Sequence, residues 1–284
     1  MTAIFMKTHL LNSYIFSAPP FVLRNIPPLR VFALKRSRVL LNCDKRLMVI
    51  WSAKSACTSV YVWFAHVSGF LDDLRAAHVP LQKHRTESYH YSDLYRRSLA
   101  APLDDYRTLR VIRDPYARTV SLYRFALMHK YVEPYLATFS GGKLNRSAGF
   151  SFQQFLDLMG SIDLQTANVH FRPQFNPIEK IHKSDFTVNI SKSNLFQQLN
   201  ATALRWSLPA TDFEGMKWLI ELEKSRKAKE TPIEGADIDH RAFNKAAARG
   251  RLPFPSYDQL LTPTARARIE SLYSVDFQAY RSHL

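Results

Sequence analysis

The stretch Leu47-Met48-Val49-Ile50-Trp51-Ser52-Ala53-Lys54-Ser55-Ala56-Cys57-Thr58-Ser59 decides the fold. The residues Leu47 to Trp51 are too few for a free-standing helix and are apolar without alternation, which is the pattern of a strand buried on both faces. Small, hydroxylated residues around one lysine follow. Thr58 to Phe70 then carries Val60, Tyr61, Val62, Trp63, Phe64, Ala65 and Val67, predicting a helix apolar on most sides and therefore buried. Strand, loop and helix in this order predict an α/β fold. At the junction a helix start offers backbone N–H groups and partial positive charge, a setting that attracts phosphate or sulfate, and Lys54, Ser55, Thr58 and Ser59 add donors. An ordinary nucleotide-triphosphate loop, G-x-x-x-x-G-K-[ST], is excluded because no glycine lies between Leu47 and Gly69. Taken alone, the loop reads equally well as a small-residue turn closing a buried strand.

A second strand-to-helix junction separates the two readings. Thr108-Leu109-Arg110-Val111-Ile112 reads as another buried strand, ended abruptly by Arg113-Asp114-Pro115. Asp114 suits a helix cap and Pro115 the first helical turn, where its missing N–H costs nothing. The helix is expected to run through Tyr116, Val120, Leu122, Tyr123 and Phe125 to about Met128, with Arg118 and Ser121 as neighbours on one face. Arg113 and Ser121 are then expected to face a crevice at the carboxyl end of a parallel strand, where α/β sheets bind ligands.

Working outward, residues 1–38 read as an extended leader, since Pro19-Pro20 and Pro27-Pro28 interrupt regular structure. No uninterrupted apolar run reaches the length of a membrane span; the basic, apolar leader leaves room for a peripheral membrane contact. Gln82 to Ser92 reads as a polar loop rich in proton-transfer groups, and Tyr131 to Arg146 as loop with a hinge or surface turn at Gly141-Gly142. Phe150 to Met159 reads as a short amphipathic helix, Phe186 to Ile190 as a third strand and Leu195 to Trp206 as a helix. Lys224 to His240 reads as a charged surface loop, and Thr264 to Tyr280 as amphipathic. With no repeat and no evident linker, residues 39–284 are expected to form a single domain.

The chain has 39 Lys and Arg against 24 Asp and Glu, a formal charge of +15 that favours anionic ligands. Its 19 Phe and 13 Tyr require a packed core and exclude a disordered chain. Two cysteines, Cys43 and Cys57, provide no disulfide framework, so a reducing, cytoplasmic setting is expected. No two of the 10 histidines lie three or four positions apart and the cysteines are distant in sequence, so no metal is expected.

The two junctions in order, K-S-A-C-T-S and V-I-R-D-P-Y-A-R-T-V-S-L-Y-R, resemble the sulfotransferases that use 3′-phosphoadenosine 5′-phosphosulfate (PAPS), most closely the carbohydrate branch, sulfotransferase family 2. Weaker echoes are His170-Phe171-Arg172-Pro173-Gln174 and Leu272-Tyr273-Ser274-Val275-Asp276-Phe277. The resemblance touches positions from about 47 to 280, and its second motif is the specific one. It implies a P-loop-like three-layer fold with a central, mainly parallel sheet flanked by helices. It also implies that Lys54, Ser55, Ala56, Cys57, Thr58 and Ser59 hold the 5′-phosphosulfate, and that Arg113 with Ser121, eight positions on, holds the 3′-phosphate. Ala56 and Cys57 depart from the glycine or other small residue common at those places, and the membrane anchor typical of Golgi members is not evident.

Sulfuryl transfer needs in-line positioning, charge stabilisation and removal of the attacking hydroxyl's proton. Lys54 is expected to neutralise charge on the leaving phosphate. His90, 23 residues before Arg113, is the expected base, with His84 and Glu87 in reserve. His170 and Arg172 are expected to pin a loop, with contact to the acceptor as the alternative. The acceptor is expected to be a hydroxyl on a glycan or glycolipid, itself favoured as anionic by the chain's charge, and the oligomeric state is left open. Two competitors are weaker: a nucleotide-dependent phosphotransferase lacks its glycines and magnesium carboxylate, and a nucleic-acid-binding protein lacks a clustered basic stripe, so no nucleic-acid partner is expected.

Overall fold

The computed structural model describes residues 39–144, 147–226, 233–235 and 237–284; the leader and part of the 224–240 segment lie outside them. Among the described residues the fold is mixed α/β. Its strands are β1 (Leu40–Asn42), β2 (Leu47–Ile50), β3 (Arg107–Ile112) and β4 (Phe186–Asn189). Its helices of eight residues or more are α1 (Cys57–Val67), α2 (Asp93–Ala100), α3 (Pro115–Met128), α4 (Glu133–Ser140), α5 (Phe152–Gly160), α6 (Leu195–Arg205), α7 (Lys217–Arg226) and α8 (Pro263–Leu272). The chain divides into two compact units, one of residues 39–112, 174–220 and 283, the other of 113–173, 221–282 and 284.

The first unit holds the sheet, in the order β1-β2-β3-β4. β2, β3 and β4 are parallel, with Met48 beside Thr108 and Val111 beside Val188. All four residues of β2 are buried, as are five of six in β3, which is why β2 reads as an unbroken apolar run and β3 as one interrupted by the buried Arg110. β1 pairs antiparallel to β2, with Leu40 opposite Val49. At three residues it is too short to show a period in the sequence. Behind the loop, α1 buries Ser59 through Ala65 and Val67, so it is a core helix as its composition predicts. Val60, Trp63 and Phe64 join Leu47, Val49, Leu109 and Val188 in one core.

The second unit has its own core, formed by Leu122 and Tyr123 of α3, Phe152 and Phe155 of α5, and Ile269 of α8 with Phe171 and Tyr273. Asp114 caps α3 by accepting from the Tyr116 N–H at 2.8 Å, and Pro115 occupies the first turn, as predicted. Two expectations need correction. The 131–146 segment contains α4, in which Pro134 lies in the first turn without losing a hydrogen bond, Leu136 is buried and Gly141 closes the helix at φ 59. In the first unit, the supposed loop at 82–92 is wound into short helical turns, Leu81–Lys83, His84–Ser88 and Tyr89–Tyr91, held down by buried His84, Arg85 and Tyr89.

Candidate functional site

At the end of β2 the chain does not rise directly into α1. Lys54 and Ala56 both adopt left-handed backbone, φ 69 and φ 55, on either side of Ser55. Such alternation turns successive N–H groups toward a common point, an anion-binding concavity. α1 then begins at Cys57 with Ala56, which has no capping side chain, at its N-cap, whereas α3 is capped by Asp114. Lys54, Ala56, Cys57 and Thr58 are half-buried, and Ser55 and Ser59 are buried completely. Cys57 is a free thiol.

The loop is pinned from below. Gln174 Oε1 accepts from the hydroxyls of Ser52 at 3.2 Å and Ser55 at 3.0 Å, and those two oxygens lie 3.0 Å apart. The Ser55 N–H also donates to the Ser52 carbonyl at 3.2 Å. Gln174 is itself held, since its carbonyl accepts from the Arg110 guanidinium. Arg110, fully buried on β3, pairs with Glu179 at 3.3 Å. Glu179 in turn accepts from the Asn176 N–H at 2.8 Å in a reciprocal cap of the turn Pro177–Lys180. Burial strengthens each of these bonds, so the chain Arg110–Gln174–Ser52/Ser55 makes a stiff floor under the loop. Ser55 thus spends its hydroxyl on the floor.

The three expected bases differ in setting. Glu87 is exposed and pairs with Lys83 at 3.7 Å. His90 is half-buried against Tyr89 and Tyr95, with ring centres 5.2 Å and 4.8 Å away. Tyr89 anchors that group to β1, its hydroxyl accepting from the Leu41 N–H at 2.6 Å and donating to the Leu41 carbonyl at 2.7 Å. His84 is buried, stacks on Phe70 and is hydrogen-bonded through Nδ1 to the Tyr61 hydroxyl of α1 at 2.8 Å. Burial holds the His84 imidazole below its ordinary pKa, opposed weakly by Asp73. Its neighbour Arg85 lies over the Trp51 ring at 4.2 Å.

In the second unit, Arg113 and Ser121 are both half-buried. Burial lowers the Arg113 pKa, opposed by Tyr257 and Asp114. Arg118 is fully buried: it donates to the carbonyls of His170 and Arg172 and sits 5.2 Å from the Tyr273 ring centre. Tyr273 in turn donates to the Phe171 carbonyl at 3.0 Å. His170 packs on Phe125 and Tyr131, and its Nδ1 lies 2.8 Å from Asn168 Oδ1. Arg172 Nε donates to the Ala167 carbonyl at 2.9 Å. The two weaker sequence echoes therefore meet around Arg118, where they fix backbone.

Arg85, Arg110 and Glu179 were not singled out from the sequence, and Gln174 only as part of a longer segment. An arginine inside the apolar run Leu109 to Ile112 was a legible sign of a buried ion pair; Arg85 carried no comparable sign. Among the described residues no group of three or more His, Cys, Asp or Glu is placed to hold a metal ion, and no helix is long and apolar enough to cross a membrane.

Compared with known families, residues 39–281 match the model described as Sulfotransferase family. No curated protein and no solved structure matches.

Proposed function

We propose, since the chain belongs to the sulfotransferase family, that it transfers the sulfuryl group of PAPS to a hydroxyl on a carbohydrate acceptor. Sulfuryl transfer is the chemistry of the family, and PAPS is its general donor. The family also supports assigning the sheet and its helices to a P-loop-like, three-layer arrangement. The observation that carries the donor reading is the loop 52–56, with left-handed Lys54 and Ala56 leading into an α1 whose N-cap residue, Ala56, brings no capping side chain. That donor set, backbone N–H groups plus one lysine and no carboxylate, fits an oxyanion.

In this reading Lys54 neutralises charge on the bridging oxygen as the sulfur–oxygen bond to the 5′-phosphate breaks. Ala56, Cys57, Thr58 and Ser59 lend helix-start donors, while Ser55 keeps the loop's shape through Gln174. Arg113 and Ser121 bind the 3′-phosphate by charge-assisted hydrogen bonds. The acceptor oxygen attacks sulfur and gives its proton to His90, with His84 and Glu87 as the alternatives. Adenosine 3′,5′-bisphosphate leaves and a sulfate ester remains.

The test is incubation with radiolabelled PAPS and a panel of glycans, alongside binding of adenosine 3′,5′-bisphosphate. Transfer to at least one glycan is expected, with the bisphosphate affinity of Arg113→Ala falling about ten-fold or more. His90→Ala is expected to lose on the order of 10²- to 10⁴-fold in kcat. Absence of transfer together with bisphosphate binding indifferent to Arg113 would overturn the reading.

A further inference from the structure

Arg85 is only 5% exposed, and its Nε is buried without a hydrogen-bond partner. Its guanidinium carbon lies 4.2 Å above the Trp51 ring centre and 5.8 Å from that of Tyr61. Among the described residues no carboxylate pairs with it, whereas buried Arg110 on β3 pairs with Glu179 and buried Arg118 donates to the carbonyls of His170 and Arg172. Residues 1–38 contain no aspartate or glutamate, so that segment has no acid to offer it. A buried guanidinium without a counter-charge costs more than stacking on aromatic rings repays. The deficit is removed if the counter-charge arrives with a ligand.

Location identifies the kind of ligand. Trp51 directly follows β2 and directly precedes the loop 52–56, and Tyr61 is one turn into α1. Arg85 therefore stands on the two residues that bracket the loop in sequence. Its posture is set by its neighbour: His84 is hydrogen-bonded to the Tyr61 hydroxyl and stacked on Phe70. A guanidinium fixed against a ring keeps its planar fork of donors ready for a two-oxygen partner. We infer that Arg85 is an oxyanion-binding residue of this site, taking a sulfate, phosphate or carboxylate group of one of the reactants. The inference rests on the sulfuryl-transfer reading for the identity of the reactants but not for the anion binding itself.

The experiment compares the full chain with Arg85→Met, which keeps an unbranched stem for Trp51. Thermal unfolding is measured in sodium chloride and in sodium sulfate of equal ionic strength. Arg85→Met is expected to be as stable as the parent or more so in chloride, and to show a smaller sulfate-induced rise in Tm. Lower stability in chloride with an undiminished sulfate shift would make Arg85 a structural residue and overturn the inference. Should Arg85→Met fail to fold, Arg85→Lys decides: it keeps the charge but loses the fork, so a reduced sulfate shift supports the inference and a parental one overturns it.

Two further arms locate the anion. A fall of about ten-fold in affinity for adenosine 3′,5′-bisphosphate assigns Arg85 to the donor side. Unchanged bisphosphate affinity, with kcat/KM falling about ten-fold for chondroitin but not for a neutral oligosaccharide, assigns it to the acceptor. If both are unchanged while the parent transfers sulfuryl groups, Arg85 has no part in the site and the transfer reading stands without it. If the parent shows no transfer but its sulfate shift depends on Arg85, the anion site stands and the transfer reading falls.

Discussion

At Lys54 two demands oppose each other. A non-glycine residue at φ 69 carries a backbone cost of about 1–2 kcal/mol, yet the proposed reaction needs an ammonium there. Lys54→Gly separates the two: resistance to urea is expected to stay level or rise by up to about 1 kcal/mol, while transfer falls on the order of 10²- to 10³-fold. A glycine variant that turns over normally would remove Lys54 from the mechanism. His84 makes a different prediction, because burial places its pKa below that of the unfolded chain. In the window between the two values the unfolded state binds more protons, so stability rises with pH there. The contribution is therefore fully present above the unfolded value of ~6.5 and is lost as pH falls through the folded one. Replacing His84 by Gln is expected to flatten the acid limb of a stability–pH curve below ~6.5, a limb that an unchanged curve would assign to other groups.

Among the elements, β3 and the turn after Gln174 do most to shape the loop. Arg110 and Glu179 are a buried pair, and removing one partner leaves the other charge without compensation. Glu179→Gln is expected to cost about 3 kcal/mol in chemical denaturation and to weaken adenosine 3′,5′-bisphosphate binding, since the Gln174 carbonyl shares the Arg110 guanidinium. A variant that loses stability but binds the nucleotide as before would confine the pair to a folding role. The contrast between helix starts has the same logic. α3 satisfies its first turn with Asp114 and therefore has less to offer an anion at that point, whereas α1 has no capping side chain.

For the whole molecule, the charge of +15 acts at distances where no single contact does. Its field favours anions in general, acidic acceptors of the proposed reaction included, and is screened over a Debye length of ~10 Å at 0.1 M salt. KM for an acidic glycan is therefore expected to rise several-fold from about 0.05 to 0.3 M sodium chloride, with kcat nearly constant and KM for a neutral oligosaccharide changing less than about two-fold. Equal responses for both acceptors would remove long-range attraction from acceptor capture. The parallel strands, α1 and α3 were legible in the sequence because burial on both faces, a first-turn proline and a capping aspartate are recorded in neighbouring residues. So was the Arg113/Ser121 spacing, which is a matter of chain order alone. β1 was too short to leave a period, and the eight-residue α4 fell inside a segment read as loop around Gly141-Gly142. The floor of the loop joins Ser52 and Ser55 to Gln174 over 122 and 119 residues, and no local pattern announces such a bond. Sequence by itself determined the mixed α/β class and a lysine-bearing loop between strand and helix, because apolar runs and helix starts are local properties. Only the tertiary structure decided that Ser55 faces inward and that Arg85 is buried on Trp51 without a carboxylate among the described residues, because burial and partnership of a polar group depend on what the rest of the chain packs around it.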